Sequence, residues 1–104
     1  MEFNNQAKLN ILNYDMFKEL IDLTEKWNGS EDVNAVVFTG AGRSYSAGGD
    51  IRSLYDERMS GNHYFSEDFI GNEYVCHYKL ATMLPIQICI FNGYVMGSGA
   101  GSSM

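Results

Sequence analysis

Residues 34–50 read NAVVFTGAGRSYSAGGD, and their order decides the fold. Asn34 to Thr39 is a short, nearly continuous apolar run, the pattern of a strand covered on both faces. It runs into GAGRSYSAGGD, in which four of eleven positions are glycine. A strand end followed by backbone N–H groups that lack large side chains can approach a ligand oxygen closely.

The same arrangement recurs downstream. Ile86 to Phe91 (IQICIF) is a second short apolar run, Asn92-Gly93 a turn, and Tyr94-Val95-Met96 leads into GSGAGSS. Helical patterns fill the intervals. Asn13 suits the N-cap of a helix running to about Asn28, with Met16, Leu20, Leu23 and Trp27 at helical spacing and Phe17 and Ile21 widening the apolar face. Asn28-Gly29 supplies its stop. Ile51 to Arg58 reads as a short helix. After the polar stretch SGNHY a longer helix is expected from about Ser66 to Leu84, with Glu67 and Asp68 in its first turn and Pro85 at its end. Met1 to Leu12 holds too few apolar residues for an opening strand. Helix, strand, glycine loop, helix, strand, glycine loop is an α/β order with parallel strands.

The 104 residues suit one small domain, residues 1–104. A glycine loop where the next helix should begin, with three residues after it, gives the expectation of a piece truncated at its C-terminal end. The formal charge of −6 and the scattering of seven Lys and Arg argue against nucleic acid as a partner. Cys76 and Cys89 make no disulfide framework, and no signal peptide or apolar run of membrane length is present, which sets an intracellular compartment and no membrane partner as the expectation.

Familiar phosphate and nucleophile motifs fail at single positions. Gly40-Ala41-Gly42 opens like a dinucleotide fingerprint, but Tyr45 stands where the third glycine belongs, and Ser102 does so in the second loop. Neither loop is followed by G-K-[ST]. Around Ser98 a nucleophile elbow would need glycine at the positions of Met96 and Ala100. Taken singly, each loop is equally well a tight turn. His63, His77 and the seven tyrosines read as surface or packing residues. Cys76 beside His77 makes no metal site, which needs four ligands at suitable spacing. Asn28-Gly29-Ser30 matches a glycosylation sequon with nothing to indicate secretion.

The two loops together resemble a known pattern. Ser46-Ala47-Gly48-Gly49-Asp50-Ile51 is similar to the (S/C)-A-G-(G/A)-D-(I/L) signature of the enoyl-CoA hydratase/isomerase (crotonase) superfamily. Asn92 to Gly101 resembles its second loop, and Lys8-Leu9-Asn10-Ile11-Leu12 its K-x-N-A-L segment. The resemblance covers nearly the whole chain and implies a partial crotonase-like ββα fold. It implies an oxyanion hole for an acyl-CoA thioester made from the N–H groups of Gly49 and Ser98, with the Ala47 carbonyl recognising the adenine of coenzyme A and Gly48 and Gly97 lining the substrate site. Coenzyme A enters as part of the substrate, and neither a separate cofactor nor a metal is implied. Asp50 reads as the cap of the turn into Ile51. Ser98 departs from the family's usual glycine, and its Cβ narrows backbone freedom there.

Three features point to the hydrolase branch, of the 3-hydroxyisobutyryl-CoA hydrolase type in valine catabolism. Gly101 stands where hydratases carry a catalytic glutamate. The stretch GGDIRSLYD is closer to the hydrolases, and FIGNEY (Phe69 to Tyr74) resembles their F-x-x-E-Y. That places Glu73 at the substrate, within an apolar stripe of Phe69, Cys76, Leu80 and Met83 or Leu84, where a carboxylate needs a compensating partner. The catalytic carboxylates that the resemblance implies are expected beyond Met104, so this stretch alone is expected to be inactive. The resemblance further implies a mitochondrial setting and leaves a homo-oligomer of the full-length protein open. The rival readings are an enoyl-CoA hydratase/isomerase and a non-catalytic acyl-CoA-binding remnant with an aggregation-prone bare sheet surface.

Overall fold

In a computed structural model that describes residues 1–104, helix α1 spans Tyr14–Asn28. Asn13 starts it as its side chain dictates, Oδ1 accepting from the Met16 N–H at 2.9 Å. The buried positions of α1 are Phe17, Leu20 and Thr24. The centre of the apolar face is therefore one position further round than the Met16–Leu20–Leu23–Trp27 line, with Met16, Ile21 and Trp27 packed at its borders.

Strand β2 spans Ala35–Gly40 and β4 spans Ile86–Cys89, paired in parallel with Val36 opposite Gln87 and Phe38 opposite Cys89. A third strand was not expected. Glu2–Phe3 forms β1, parallel to the far end of β2, with the order β1-β2-β4. Two residues suffice because Phe3 is 2% exposed and stacks edge-on against Tyr45 at 5.4 Å. Aromatic burial, rather than a run of apolar residues, holds this strand.

The expectation that the strands are covered on both faces is corrected. Along β2, Val36 and Phe38 are buried while Ala35 and Val37 face outward. On β4, Ile86 and Ile88 are 68% and 46% exposed. Helix α1 and the helix over His63–Thr82 pack on one side only, with Trp27 meeting Phe38 edge-on at 5.9 Å. In these 104 residues the other side is a bare apolar face.

Helix α2 spans Ile51–Met59. Helix α3 spans His63–Thr82, starting three residues before the expected Ser66 and ending two before Leu84. The early start follows from Phe65, whose ring meets Tyr14 at 5.7 Å and Phe69 at 5.9 Å, so the first turn already has something to bury against. Glu67 and Asp68 consequently lie in the second turn. Asp68 accepts from the Tyr14 hydroxyl instead of the helix terminus, which raises the Tyr14 pKa. The α1–α3 interface is built on Phe17 against Phe69 (5.5 Å, edge-on) and closed at its rim by Lys79 and Glu25 at 2.6 Å. No helix is long and apolar enough to cross a membrane.

Cys76 is fully buried on α3. Burial, and secondarily the negative charge of Glu73, pushes its thiol up from 9.0 to about 12. The folded chain therefore keeps this proton where the unfolded chain loses it. Stability from this group is intact below pH 9 and falls as pH rises toward 12. Urea midpoints measured from pH 8 to pH 11 should drop with pH, and the Cys76→Ala variant should show a shallower slope.

Candidate functional site

Strands β3 (Ser44–Ser46) and β5 (Tyr94–Val95) lie parallel and bring the two glycine loops side by side. The first loop is braced from behind by residues 9–12. Ala47 N–H donates to Leu9 O at 2.9 Å, Leu12 N–H to Gly48 O at 2.7 Å, and Asp50 N–H to Leu12 O at 2.9 Å. That brace depends on Asn10, fully buried at φ 54. Its amide donates to Ala41 O at 2.9 Å and Ser44 O at 2.6 Å, and its Oδ1 accepts from Asn5 N–H at 2.8 Å. A left-handed backbone suits asparagine, and its side-chain amide is partnered at both ends. The physical content of the K-x-N-x-L stretch is this bracket.

Glycines are needed where the loops touch. Gly48 has φ +99, and a Cβ there would lie 2.9 Å from Met96 O and 3.4 Å from Ser98 N. A Cβ on Gly99 would fall 2.7 Å from that of Ser46. Met96 N–H, at 3.0 Å from Ser46 O, ties the second loop to the first. Helix α4 (Ser98–Gly101) then turns the chain away.

The N–H groups of Gly49 and Ser98 donate to no group of the chain, and the Ala47 carbonyl accepts from none. A buried or half-buried donor without an acceptor is uncommon in a folded protein. Both donors border one cavity of about 380 Å³ lined by Ala47, Gly48, Gly49, Gly97 and Ser98 on the loop side and by Ile51, Phe69, Glu73 and His77 among the helical residues. All six residues singled out in the sequence thus come to one place. Asp50, by contrast, turns away to cap α2, accepting from Ser53 N–H at 3.1 Å and Ser53 Oγ at 2.7 Å.

Glu73 is half-buried, and one of its carboxylate oxygens accepts from the Ser98 hydroxyl. This is the compensating partner that a carboxylate in an apolar stripe requires. Ser98 therefore brings two polar groups to the cavity, its N–H and its Oγ. Sequence reading considered only the first, because the partner of Oγ lies 25 residues earlier in the chain.

His77, set aside in the sequence, also lines the cavity, one helical turn beyond Glu73. Its Nε2 is buried without a hydrogen-bond partner. Its ring lies against Gly101, where an added Cβ would be 3.0 Å from His77 Cε1. A side chain at 101 would press the imidazole by a few tenths of an ångström. The Glu73–His77 spacing of four on one helix was the available signal. No three His, Cys, Asp or Glu side chains gather as a metal site would require. A larger cleft of about 480 Å³, around Trp27, Glu31 and Leu84, is remote from both loops.

A family model described as enoyl-CoA hydratase/isomerase matches residues 1–104. The chain is 33% identical over 104 residues to 3-hydroxyisobutyryl-CoA hydrolase 1 of Arabidopsis thaliana, covering 100% of this chain and 28% of that protein. It is 35% identical over 101 residues to small ribosomal subunit protein mS47 of the same plant, covering 97% of this chain and 25% of that protein. Among solved structures, an enoyl-CoA hydratase from Rhodobacter sphaeroides 2.4.1 superposes with a TM-score of 0.90 at 32% identity, over 96% of this chain and 30% of that one. The chain spans less than a third of the length of these relatives.

Proposed function

Because this chain belongs to the enoyl-CoA hydratase/isomerase family, we propose that it forms the thioester-holding part of an acyl-CoA hydrolase of the 3-hydroxyisobutyryl-CoA hydrolase type. The observation that carries the reading is the pair of unengaged N–H groups, Gly49 and Ser98, delivered to one cavity by two loops packed glycine to glycine. In this reading both donate to the thioester carbonyl oxygen. As water adds to the carbonyl carbon that oxygen gains negative charge, and donors already fixed in place stabilise it without reorganising. Each such donor contributes about 10²–10³ in rate. The Ala47 carbonyl is free to accept from the adenine amino group, in keeping with the family resemblance.

Hydrolysis exchanges the C–S bond for a C–O bond. Water supplies the oxygen, and its second proton ends on the coenzyme A thiolate. The carboxylates that the family resemblance implies for those proton transfers have no matching position in residues 1–104. For this chain the proposal therefore stops at binding and polarising the thioester. A mitochondrial compartment and a role in valine breakdown belong to the same proposal.

Gly101 favours hydrolysis over hydration, since the position where hydratases of the family carry a glutamate has no side chain, and a Cβ there would press on the His77 ring at 3.0 Å. A second reading is a non-catalytic acyl-CoA-binding remnant, and the similarity to a protein named as a small ribosomal subunit component favours it. The natural polypeptide that carries this chain should release free coenzyme A from 3-hydroxyisobutyryl-CoA, followed with a thiol reagent. Hydration of crotonyl-CoA without thioester cleavage would favour the hydratase reading, and binding without either reaction would favour the non-catalytic one.

A further inference from the structure

Ser98, whose N–H is one of the two donors, opens a helix of only four residues. A single turn does not hold itself, because its few hydrogen bonds barely offset the ordering of its backbone. Ala100 and Gly101 N–H both return to Gly97 O at 3.0 Å, and Gly99 N–H to Met96 O at 2.9 Å. Those bonds keep the shape of the turn. Ahead of Ser98, Met96 N–H ties the loop to Ser46 O. Behind Ser98, the hydrogen bond to the first loop's strand is made by a side chain, that of Tyr45.

Tyr45 lies on β3, the strand that leads to Gly49, and is 0% exposed. Its ring packs edge-on against Phe3 at 5.4 Å and Phe91 at 5.0 Å. A buried tyrosine hydroxyl needs a partner, and this one meets Ser103 Oγ at 2.6 Å. Ser103 Oγ donates to Gly99 O at 2.9 Å. A serine has one proton to give, so the tyrosine is the donor of the pair. Burial holds the Tyr45 pKa far above the usual tyrosine range, which keeps that proton in place. The relay thus runs from Tyr45 O–H to Ser103 Oγ–H to Gly99 O, the residue after Ser98. Ser102 Oγ adds a longer bond to the same carbonyl at 3.3 Å.

We propose that Tyr45 is a positioning residue for the oxyanion hole: acting through Ser103, its hydroxyl holds α4 against the first loop and so fixes the Ser98 N–H relative to that of Gly49. This role rests on the thioester reading above. A Cβ on Gly99 would fall 2.7 Å from that of Ser46, so the turn already touches the first loop and can only move away from it. Without the relay it moves that way and carries Ser98 N–H with it. Phenylalanine would fill the same space against Phe3 and Phe91, so the role needs only the hydroxyl.

The test uses the natural polypeptide that carries this chain, as wild type, Tyr45→Phe, Ser103→Ala and the double variant. Binding sites are counted by calorimetric titration with coenzyme A, so unfolded protein does not enter the rate. Per site, Tyr45→Phe should release coenzyme A from 3-hydroxyisobutyryl-CoA about tenfold more slowly, the scale of a donor displaced by a fraction of an ångström. KM should stay nearly unchanged, because the donor acts mainly in the transition state. Ser103→Ala should lose as much, and adding Tyr45→Phe should lose no more, because the tyrosine acts through the serine. A ketone analogue of the acyl-CoA, with methylene in place of sulfur and an isotope-labelled carbonyl, gives an infrared signature that partial unfolding does not move. Its bound C=O stretch should fall below the free value in the wild type and return part of the way in Tyr45→Phe and in Ser103→Ala. If Tyr45→Phe does not fold, Ser103→Ala, at a half-buried position, carries the same expectations.

A wild-type band position in either single variant, or a double variant slower than Ser103→Ala, overturns the positioning role and leaves the thioester reading standing. A wild-type bound band no lower than the free one overturns the thioester reading and the role with it. The band needs no turnover, so the expected shifts without coenzyme A release overturn only the hydrolase assignment.

Discussion

In the natural polypeptide that carries this chain, Gly48→Ala should lower the proposed release of coenzyme A by about 10²–10³-fold, the loss expected when one fixed oxyanion donor is displaced. The backbone at Gly48 has φ +99, a region L side chains rarely adopt, and the new methyl would meet Met96 O at 2.9 Å. Neither atom can yield alone. Gly48 O is tied to Leu12 N–H at 2.7 Å, and Met96 N–H to Ser46 O at 3.0 Å. The cheapest response is to part the two loops, and Ser98 N, 3.4 Å from the same methyl, moves with its loop. Far-UV circular dichroism should stay close to wild type, because no helix passes through residue 48. Gly71→Ala is the matched control. Gly71 is exposed within α3 with nothing near its added Cβ. It should leave turnover unchanged and stabilise the helix by about 0.5–1 kcal/mol. Equal losses from both substitutions would remove the loop-contact argument and with it the oxyanion reading.

The contrast between these glycines shows what was legible in the sequence. Loop positions stood out because glycine is the residue that allows close approach and positive φ, and the strand-then-loop order told where they would sit. The α/β order and the helix boundary at Asn13 were equally visible, since period and capping are local properties. Three things were not. Strand β1 rests on one aromatic ring packed by distant residues, which leaves no periodic trace in twelve residues. Coverage of the sheet depends on which elements surround it, so the apolar run 34–39 looks the same whether one face is bare or both are buried. The Ser98 hydroxyl and His77 acquire meaning only through α3, because their neighbours Glu73 and Gly101 are paired with them by tertiary packing.

The bare face also sets how much stability the chain has to lose. Val37, Ile86 and Ile88 contribute little when left in water, so the hydrophobic stabilisation comes from the single core between the sheet and helices α1 and α3. That makes the chain most sensitive at the ring on which both helices close.

Phe17→Ala should therefore cost about 3–5 kcal/mol, the range for removing a fully buried aromatic side chain. Phe17 is 0% exposed and makes edge contacts with Phe69 at 5.5 Å and His77 at 6.3 Å. A domain of this size typically has about 5–15 kcal/mol in all, and one with an uncovered sheet face belongs near the lower end, so the variant should be largely unfolded or close to it at 37 °C. Urea denaturation followed by tryptophan fluorescence gives the measurement, because Trp27 of α1 packs edge-on against Phe38 of the sheet in the same core. Ile88→Ala, on the exposed face, should shift the midpoint by no more than about 0.5 kcal/mol. The effect should also reach the cavity before the chain unfolds. Phe69 packs between Phe17 and the space over Gly49, and α3 carries Glu73 and His77. In urea below the unfolding midpoint, Phe17→Ala should already weaken acyl-CoA binding, whereas Ile88→Ala should not. Equal sensitivity of the two positions would place the stabilising core elsewhere than the α1–α3 interface.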